Sequence, residues 1–527
     1  MTFRNIGIIN IFILFVIAVL GVHPWHFLLL TVAQLVYVPL ILNLVMKNDD
    51  GKYARYLPYL GIPAFLTVIL LQVTSETSWD PFLAIIYFLF TLLIAGYGLM
   101  RFFNRGFAHL EEFLIDMGLI YIAVGGAWFF AYEAGIDTGF SAIMTWLTGI
   151  HFHYAAFLLP VFVGFLGRIY KSTFYNWIAA AVLVSPMIVA LGITFSTLLE
   201  LVSVLVYIFG IYGLINLSFK SPVNWLVRLS FSALGVAILF SLLYAFGNLT
   251  GLYTITIDFM LIFHGTINAV FYALAGIIGW SIQYPPSKHE YFKFPVSRIR
   301  GKGKVGETIL TGKLDTATCN GLVDNMNIYD IDAETLSSSI IDFYENTNQY
   351  RLFSEVKWHT WFKPFAAVYR LISRYVEQIN LPFSSKQVEM TGNIYSIKDD
   401  VDGRNDVRAW VRKVKKETTF VALYSSHENK GQTYMNIALP LPGSVMVGVL
   451  DLTPHGKDLR LSSKKQSLDA DSGIYLAAGK FFFMLPIEEQ FDVWEVEEGV
   501  LKARHNMWIF SIPFLTIEYD IFNKLQS

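Results

Sequence analysis

Three histidines in apolar surroundings are the residues of this chain best suited to chemistry. His151 and His153 lie in Ile150-His151-Phe152-His153-Tyr154, and His264 opens a polar series, His264, Asn268 and Tyr272, with four-residue spacing. Imidazole can ligate a metal, pass a proton or bond to a neighbouring group. Ionisable side chains inside membrane spans are costly enough to be functional candidates by default. Residues i and i+2 of a helix point roughly 200° apart, so His151 and His153 cannot easily chelate one ion, though they can serve two separate sites.

The His-Phe-His run locally resembles the helix of haem–copper oxidases whose two histidines hold two haems. No His-His pair for copper accompanies it, and His26 or His264 would have to supply the axial partners. The simpler reading is hydrogen bonding between helices, and a third is a polar substrate or proton path. Glu133 joins His151, His153, His264 and Asn268 as a candidate polar intramembrane site. Weaker candidates are His23 and His26, flanking Pro24-Trp25, with Asp116 one turn after Glu112 and Asp258 near the start of the last span.

The elements that position these residues are membrane helices. A span needs roughly 20 apolar residues, and ten stretches qualify, near 6–22, 25–46, 57–73, 81–100, 113–133, 144–166, 175–195, 198–218, 225–247 and 256–282. All ten Lys and Arg residues before position 283 fall before the first stretch or after the second, fourth, sixth and eighth: Arg4, then Lys47, Lys52 and Arg55, then Arg101 and Arg105, then Arg168 and Lys171, then Lys220 and Arg228. Cationic loops stay on the cytoplasmic side. This predicts both termini in the cytoplasm, with five of the six histidines of this half toward the opposite face. The first apolar run has no small-x-small cleavage site after it and reads as a retained helix. Asn248-Leu249-Thr250 is a formal glycosylation sequon on the outer side.

Composition changes near Tyr284. Of 39 basic and 41 acidic residues, 10 and 11 precede it, and 29 and 30 follow. Each half is therefore nearly neutral, so overall charge argues neither for nor against nucleic acid, and no nucleic-acid partner is expected. Three regions follow: a transmembrane helical domain at 1–283, a juxtamembrane basic linker with short strands at 284–330, and an α+β domain at 331–527, placed in the cytosol. The linker's Lys288, Lys293, Arg298, Arg300, Lys302 and Lys304 are expected to meet anionic headgroups. Its Gly301-Lys-Gly303-Lys-Val-Gly306 formally matches a dinucleotide fingerprint, but no helix is expected to open there, since 307–312 reads as a short strand and turn.

Helices are expected around 333–346 and from Lys363 to Asn380. The apolar face of the second, Phe365, Val368, Ile372, Tyr375, Val376 and Ile379, should cover a sheet. Strands are expected at 388–398, 405–415, 418–425, 431–439, 444–452, 473–485, 489–497, 500–511 and 514–521, with turns at Asp402-Gly403 and Glu498-Gly499. They suggest a mainly antiparallel sheet or barrel. The aromatic strands around Phe481-Phe482-Phe483, Trp494, Trp508 and Phe510 supply either its core or the wall of an apolar ligand cavity. Nucleophile-elbow, zinc-protease, phosphate-loop and Cys-x-x-Cys motifs are absent. The lone Cys319 permits no internal disulfide, and Glu488-Glu489 point to opposite faces of a strand.

Over essentially its whole length the chain resembles the YndJ-like family of bacterial membrane proteins. The resemblance is carried by Thr148-Gly149-Ile150-His151-Phe152-His153-Tyr154, His264-Gly265-Thr266-Ile267-Asn268-Ala269, Phe343-Tyr344-Glu345 and Leu485-Pro486-Ile487-Glu488-Glu489-Gln490-Phe491-Asp492-Val493-Trp494. It implies the architecture and a bacterial inner membrane, and it carries over no activity or site. Three functions are consistent with the residues. One is a polytopic protein, more naturally not an enzyme, whose cytosolic sheet domain binds a lipid-like ligand or a partner. Another is a transporter or permease using the outer histidines and carboxylates. The last is a haem- or metal-binding redox protein.

Overall fold

The structure is a computed structural model that describes residues 1–290, 292–329, 331, 335–467 and 470–525. It divides into two units, Met1–Phe102 with His109–His289, and Phe103–Ala108 with Glu290–Ser527.

The first unit contains ten apolar helices long enough to cross a membrane: α1 Phe3–Leu20, α2 Trp25–Val45, α3 Lys52–Val73, α4 Asp80–Phe103, α5 Leu110–Glu133, α6 Ala142–Ile169, α7 Thr173–Phe195, α8 Thr197–Lys220, α9 Trp225–Thr250 and α10 Ile257–Ile282. Helices suit lipid because they satisfy every backbone group internally. Most ends lie within a few residues of the expected spans, and capping explains several of them. Thr2, Ser141, Ser172, Ser196 and Asn224 each accept an N–H from the first turn of the helix they precede. Ser196 both ends α7 and caps α8, so this single residue reverses the chain where a two-residue gap was expected.

Wide, π-type turns interrupt three helices, at Ala33–Tyr37 in α2, Phe152–Leu158 in α6, and Met260–Gly265 and Ile267–Leu274 in α10. Such turns are rare and cluster at functional places. No feature of residue type foretold them.

The second unit is built on an antiparallel sheet of twelve strands: β1 Tyr350–Trp358, β2 Val388–Ser396, β3 Arg408–Val414, β4 Glu417–Asn429, β5 Gln432–Leu441, β6 Ser444–His455, β7 Asp458–Ser462, β8 Gly473–Ala478, β9 Phe481–Met484, β10 Ile487–Glu497, β11 Val500–Ile509 and β12 Ile512–Asn523. The order is β5-β4-β3-β2-β1-β12-β11-β10-β7-β6, and a β5–β6 pairing closes those ten strands into a barrel. Beyond β7's reach, β6 pairs with β8, which carries β9 as an outer hairpin. β1 and β7 were not expected from the sequence. The expected strand at 473–485 is two strands, because Gly479 turns the chain with φ 57°.

Period-two alternation sorts the residues of each strand. In β11, Leu501, Ala503 and His505 are buried, while Lys502 and Arg504 are exposed. Across β12 they meet Ile521, Tyr519 and Ile517. The barrel thus has two apolar layers. One is internal, built from Leu352, Met435, Leu461, Val493, Leu501 and Ile517 among others. The other lies on the opposite face of β3–β6 and β8, where Val421, Val447, Val449 and Tyr475 pack under Phe294, Ile299, Val305 and Leu310.

That outer layer gives the basic linker a structural role as cover of the barrel. Its backbone is tied along the barrel by Arg298 N–H to Asp402 O, Gly301 N–H to Leu441 O and Val305 N–H to Val376 O. Lys293, Arg298, Lys302 and Lys304 are exposed at its surface, and Lys304 pairs with Glu377 at 3.2 Å. The segment expected to be a strand at 307–312 is instead a 3₁₀ turn, Glu307–Leu310. Ser297 Oγ donates to Asp402, whose carboxylate also takes Arg404 Nε at 2.6 Å, with both charged side chains fully buried.

Two helices close the barrel region at opposite ends of β11. Helix α11, Ser338–Glu345, is tied to the β10–β11 turn, where Ser339 Oγ accepts from Gly499 N–H at 2.9 Å. It is shorter than the expected 333–346, of which 333 and 334 lie outside the described residues. Helix α12, Lys363–Val376, starts beside the β11–β12 turn, where Trp361 Nε1–H donates to Pro513 O and Phe362 packs on Phe514. It ends where Glu377 turns left-handed with φ 57° and the buried Gln378 side chain bridges β4 and β5, through Val421 N–H and O and Pro440 O. The expectation that its apolar face is covered by the sheet is overturned. Ala366 and Ser373 are its buried residues, whereas Phe365, Val368, Leu371, Ile372 and Tyr375 are exposed.

Candidate functional site

Two cavities of different character stand out among the described residues. The smaller, about 200 Å³, lies among the apolar helices and is lined by His151, His264, Asn268, Glu200, Ser241 and the tyrosines 154, 207 and 272. It joins three of the five leading candidates. The His151 and His264 rings lie 6.4 Å apart between centroids. His264 Nδ1–H donates to Ala237 O at 2.9 Å, and its Nε2 accepts from Asn268 at 3.0 Å. His151 Nδ1–H donates to Leu147 O at 2.8 Å. Asn268 Oδ1 is buried without a hydrogen-bond partner. Glu200, on the far wall, accepts from Asn248, the residue of the formal sequon.

His153 is not part of this group. As the two-residue spacing requires, it points away, fully buried, with Nδ1–H to Gly149 O at 2.7 Å and Nε2 accepting from Tyr87 OH at 2.8 Å. Gly125 permits this approach of α5 to α6, since a Cβ there would sit 2.9 Å from His153 Nδ1. Glu133 ends α5 and lines neither cavity.

The weaker candidates scatter. His23 Nε2–H bonds Leu71 O and Thr74 O at the end of α3, a capping role. His26 packs on Trp146. Asp258 is exposed in the first turn of α10. Asp116 and Glu112 share a face as expected, and they enter a buried ion network: Arg101 reaches both at 2.8 and 2.9 Å, and Arg168 pairs with Glu112 at 2.7 Å. Among the described residues, no group of three or more His, Cys, Asp or Glu side chains is arranged to hold a metal. A ligating role for His264 or His153 would require breaking a bond that each already makes.

The larger cavity, about 800 Å³, lies inside the barrel. That is in the size range of small-molecule sites, which are typically ~300–1,000 Å³. Its wall is aliphatic and aromatic, from Leu352, Phe420, Met435, Ile487, Phe491 and Ile517 among others. A few polar groups interrupt it. Glu489 and His505 pair at 3.0 Å, with the imidazole stacked 3.7 Å from the Phe491 ring. The Arg412 guanidinium sits 4.5 Å from the Trp410 ring and 4.3 Å from that of Phe420. It forms no carboxylate ion pair among the described residues, and its Nε has no hydrogen-bond partner. Burial pushes the Tyr424 hydroxyl up to about 12 and raises that of Tyr519, against the opposing pull of Arg412 on both, so the two phenols remain protonated donors at neutral pH.

With this geometry in hand, comparison with known proteins is informative. The family model described as YndJ-like protein matches residues 28–272. The uncharacterized membrane protein YndJ of Bacillus subtilis is 36% identical over 509 residues, covering 94% of this chain and 93% of that protein. The chain belongs to the YndJ-like family. It is accordingly a multi-pass membrane protein. The match to the relative spans both units, while the family model's span ends within α10. No solved structure matches.

The barrel site was largely missed in the sequence. The aromatic residues singled out there, Phe481 to Phe483, Trp494, Trp508 and Phe510, do not line the cavity. Alternation explains this for the β10–β11 hairpin. Positions 487, 489, 491 and 493, with 503, 505, 507 and 509, face inward, which turns Trp494 and Trp508 outward. The same alternation separates Glu489, on the cavity, from Glu488, which lies near Lys464 at 3.6 Å. The Glu498-Gly499 turn alone would set Phe491 opposite Asn506; a bulge between Glu495 and Glu497 shifts the register by one, and that shift brings Phe491 opposite His505 with Glu489 one diagonal step away.

Proposed function

We propose that the protein is a membrane-anchored binder of a lipid-like amphiphile, held in the barrel of its C-terminal unit. The observation that carries this reading is the apolar cavity of about 800 Å³, bordered by α12, with few polar groups on its wall. Apolar walls give non-directional affinity, and a small number of placed polar groups fixes orientation. Arg412, held between two rings without a carboxylate partner among the described residues, suits an anionic headgroup, with the Tyr424 and Tyr519 phenols beside it as donors. The charge alternation around the spans supports a cytosolic barrel, with both termini inside a bacterial cytoplasmic membrane. The three-part division at 283 and 330 is kept with one amendment, that the middle segment serves as the barrel's outer cover.

The test is lipid extraction and mass spectrometry of the purified full-length protein, alongside titration with a fluorescent fatty acid. The variants are Ala503→Trp, which fills the cavity from β11, and Arg412→Leu. Wild type should bind the probe and carry an amphiphile. Ala503→Trp should lose both, and Arg412→Leu should weaken the acid more than the corresponding alcohol. Equal probe binding by wild type and both variants, with each variant folded by circular dichroism, would overturn the proposal.

A second reading has one observation in its favour. His151, His264 and Glu200 share a cavity with the unpaired Asn268 Oδ1, an arrangement suited to a polar solute or a proton. Uptake assays in proteoliposomes comparing wild type with His264→Phe test it, and equal transport or none in both removes it.

A further inference from the structure

We infer that α12 and the β11–β12 turn together form a lip that seats in the bilayer interface, with lipid as its occupant. The seating stands independently of the cavity reading; the lip's use as an entrance to the cavity rests on that reading.

The observations begin with the helix. On a helical wheel the apolar side chains of α12 fill one side, from Leu371 through Tyr375, Val368 and Ile372 to Phe365 and Tyr369. Leu371 is 75% exposed, Tyr375 68% and Val368 64%. A soluble domain does not ordinarily leave such a contiguous apolar face open to water. The opposite side carries Lys363, Arg370 and Arg374, all exposed. Apolar residues on one face with cations on the other is the pattern of helices that lie in the plane of a membrane surface, where the cations meet anionic headgroups. A protein partner would need a matching acidic and apolar surface. The bilayer is already supplied by the ten spans of the same chain.

The neighbouring turn points the same way through its backbone. Phe510 and Ser511 both adopt left-handed backbone, with φ 49° and 61°. Turns of this type normally use Asn or Gly, and a bulky aromatic there is strained. The strain holds Phe510 outward, 61% exposed, with the exposed Ile512 beside it. Trp361, just before α12, bonds to Pro513 of the same hairpin, so helix and tip are joined. Phe107 packs edge-on against Phe510 at 5.3 Å between ring centroids. In the chain, Phe107 follows Phe103, the last residue of α4, by four residues, so the tip is tethered by a short peptide to the end of a span.

The lip also borders the barrel interior. Phe365, Tyr369, Ile372 and Val376 are on the cavity wall, while Leu371, Tyr375 and Val368 lie further round the helix. An apolar molecule passing between bilayer and cavity along α12 would not have to cross water.

The test uses the full-length protein with Cys319→Ser as background and single cysteines carrying an environment-sensitive fluorophore at Leu371, Val368, Phe510 or Arg370. Each is reconstituted in nanodiscs of phosphatidylcholine with phosphatidylglycerol, with or without lipid bearing a spin label high on the acyl chain. Labels at 371, 368 and 510 should emit to the blue of the label at 370 and lose intensity to the spin-labelled lipid. The label at 370 should respond instead to aqueous iodide. Removing phosphatidylglycerol should shift the apolar-face labels to the red. If labels at 371, 368 and 510 respond to iodide as the 370 label does, or to neither quencher, the lip is in water or against protein, and the inference fails. Because the readout involves no cavity ligand, repeating it with Ala503→Trp separates failure of the lip from failure of the barrel proposal.

Discussion

Among the apolar helices, His23, His153 and His264 direct their ring nitrogens to main-chain carbonyls or neutral side chains. In the sheet unit, His427 and His505 each face a carboxylate, Asp471 at 3.2 Å and Glu489 at 3.0 Å. The difference follows from what each scaffold offers. A helix presents its own carbonyl oxygens along its side, and an imidazole four residues on can bond to one, as His151 does to Leu147 O and His153 to Gly149 O. A neutral imidazole, one nitrogen donating and one accepting, is satisfied with no charge buried in lipid. A strand offers no side-facing carbonyl, so a buried histidine there is satisfied by side chains, from the neighbouring strand for His505 and from the segment before β8 for His427. The two cavities inherit this contrast: in one the imidazoles bond to main-chain oxygens and Asn268, with the carboxylate of Glu200 held by Asn248, and in the other a carboxylate–imidazole pair and a guanidinium are set into an apolar wall.

The largest expected effect tests the charged side. Glu489→Ala should destabilise the sheet unit by about 3–5 kcal/mol, the usual cost of removing one partner of a buried pair. Chemical unfolding of the full-length protein with hydrogen exchange across β10 and β11 measures it. Glu489→Gln, which can still accept from His505, should cost clearly less. Equal losses for the two variants would mean that shape matters at this position and charge does not.

The neutral side should respond more weakly. His153→Phe keeps the ring volume but strands Tyr87 OH and Gly149 O, at about 1–3 kcal/mol for unsatisfied buried groups. His151→Phe, with one carbonyl bond and an exposed side chain, should stay within about 0.5 kcal/mol. Thermal unfolding in detergent ranks the two. A larger loss for His151 than for His153 would reverse the assignment of His153 as the structural histidine.

These effects divide along the line of what the sequence made legible. The helices were legible because length and hydropathy suffice in lipid, and the opposite directions of His151 and His153 followed from a two-residue spacing. The meeting of His151 with His264 was not, since it depends on how α6 and α10 pack. In the sheet, nine strands were visible as alternation. β1 escaped because its fully buried Ser354 breaks the apolar pattern, and β7 because it has only five residues. Barrel closure rests on the β5–β6 pairing of Met435–Leu441 with Ser444–Leu450, and the curvature that lets the sheet meet itself has no local signature. α12 was recognised as amphipathic, but amphipathicity does not say whether a sheet or a membrane covers the apolar side.

The smallest effect is a pH dependence that refines the carboxylate side of the contrast. Burial alone would raise the Asp471 carboxyl, but hydrogen bonds from His427 and Asn429 prevail and hold it below its ordinary 3.8. Asp451, also buried, has Gln432 Nε2 as its side-chain donor, and burial leaves it above 3.8. The two therefore act with opposite signs. Asp471 contributes stability that is present above pH 3.8 and is lost as pH falls through its lower folded value. Asp451 opposes folding once pH rises past 3.8, because ionisation comes more easily in the unfolded chain. Subtracting variant from wild-type stability across the acid range removes the other carboxylates from the comparison. Asp471→Asn should lose stability at neutral pH and converge with wild type in acid. Asp451→Asn should gain at neutral pH and lose that gain in acid. Parallel curves for both variants would show that the histidine partner, the element that separates the sheet from the helices, does not set the charge state of its carboxylate.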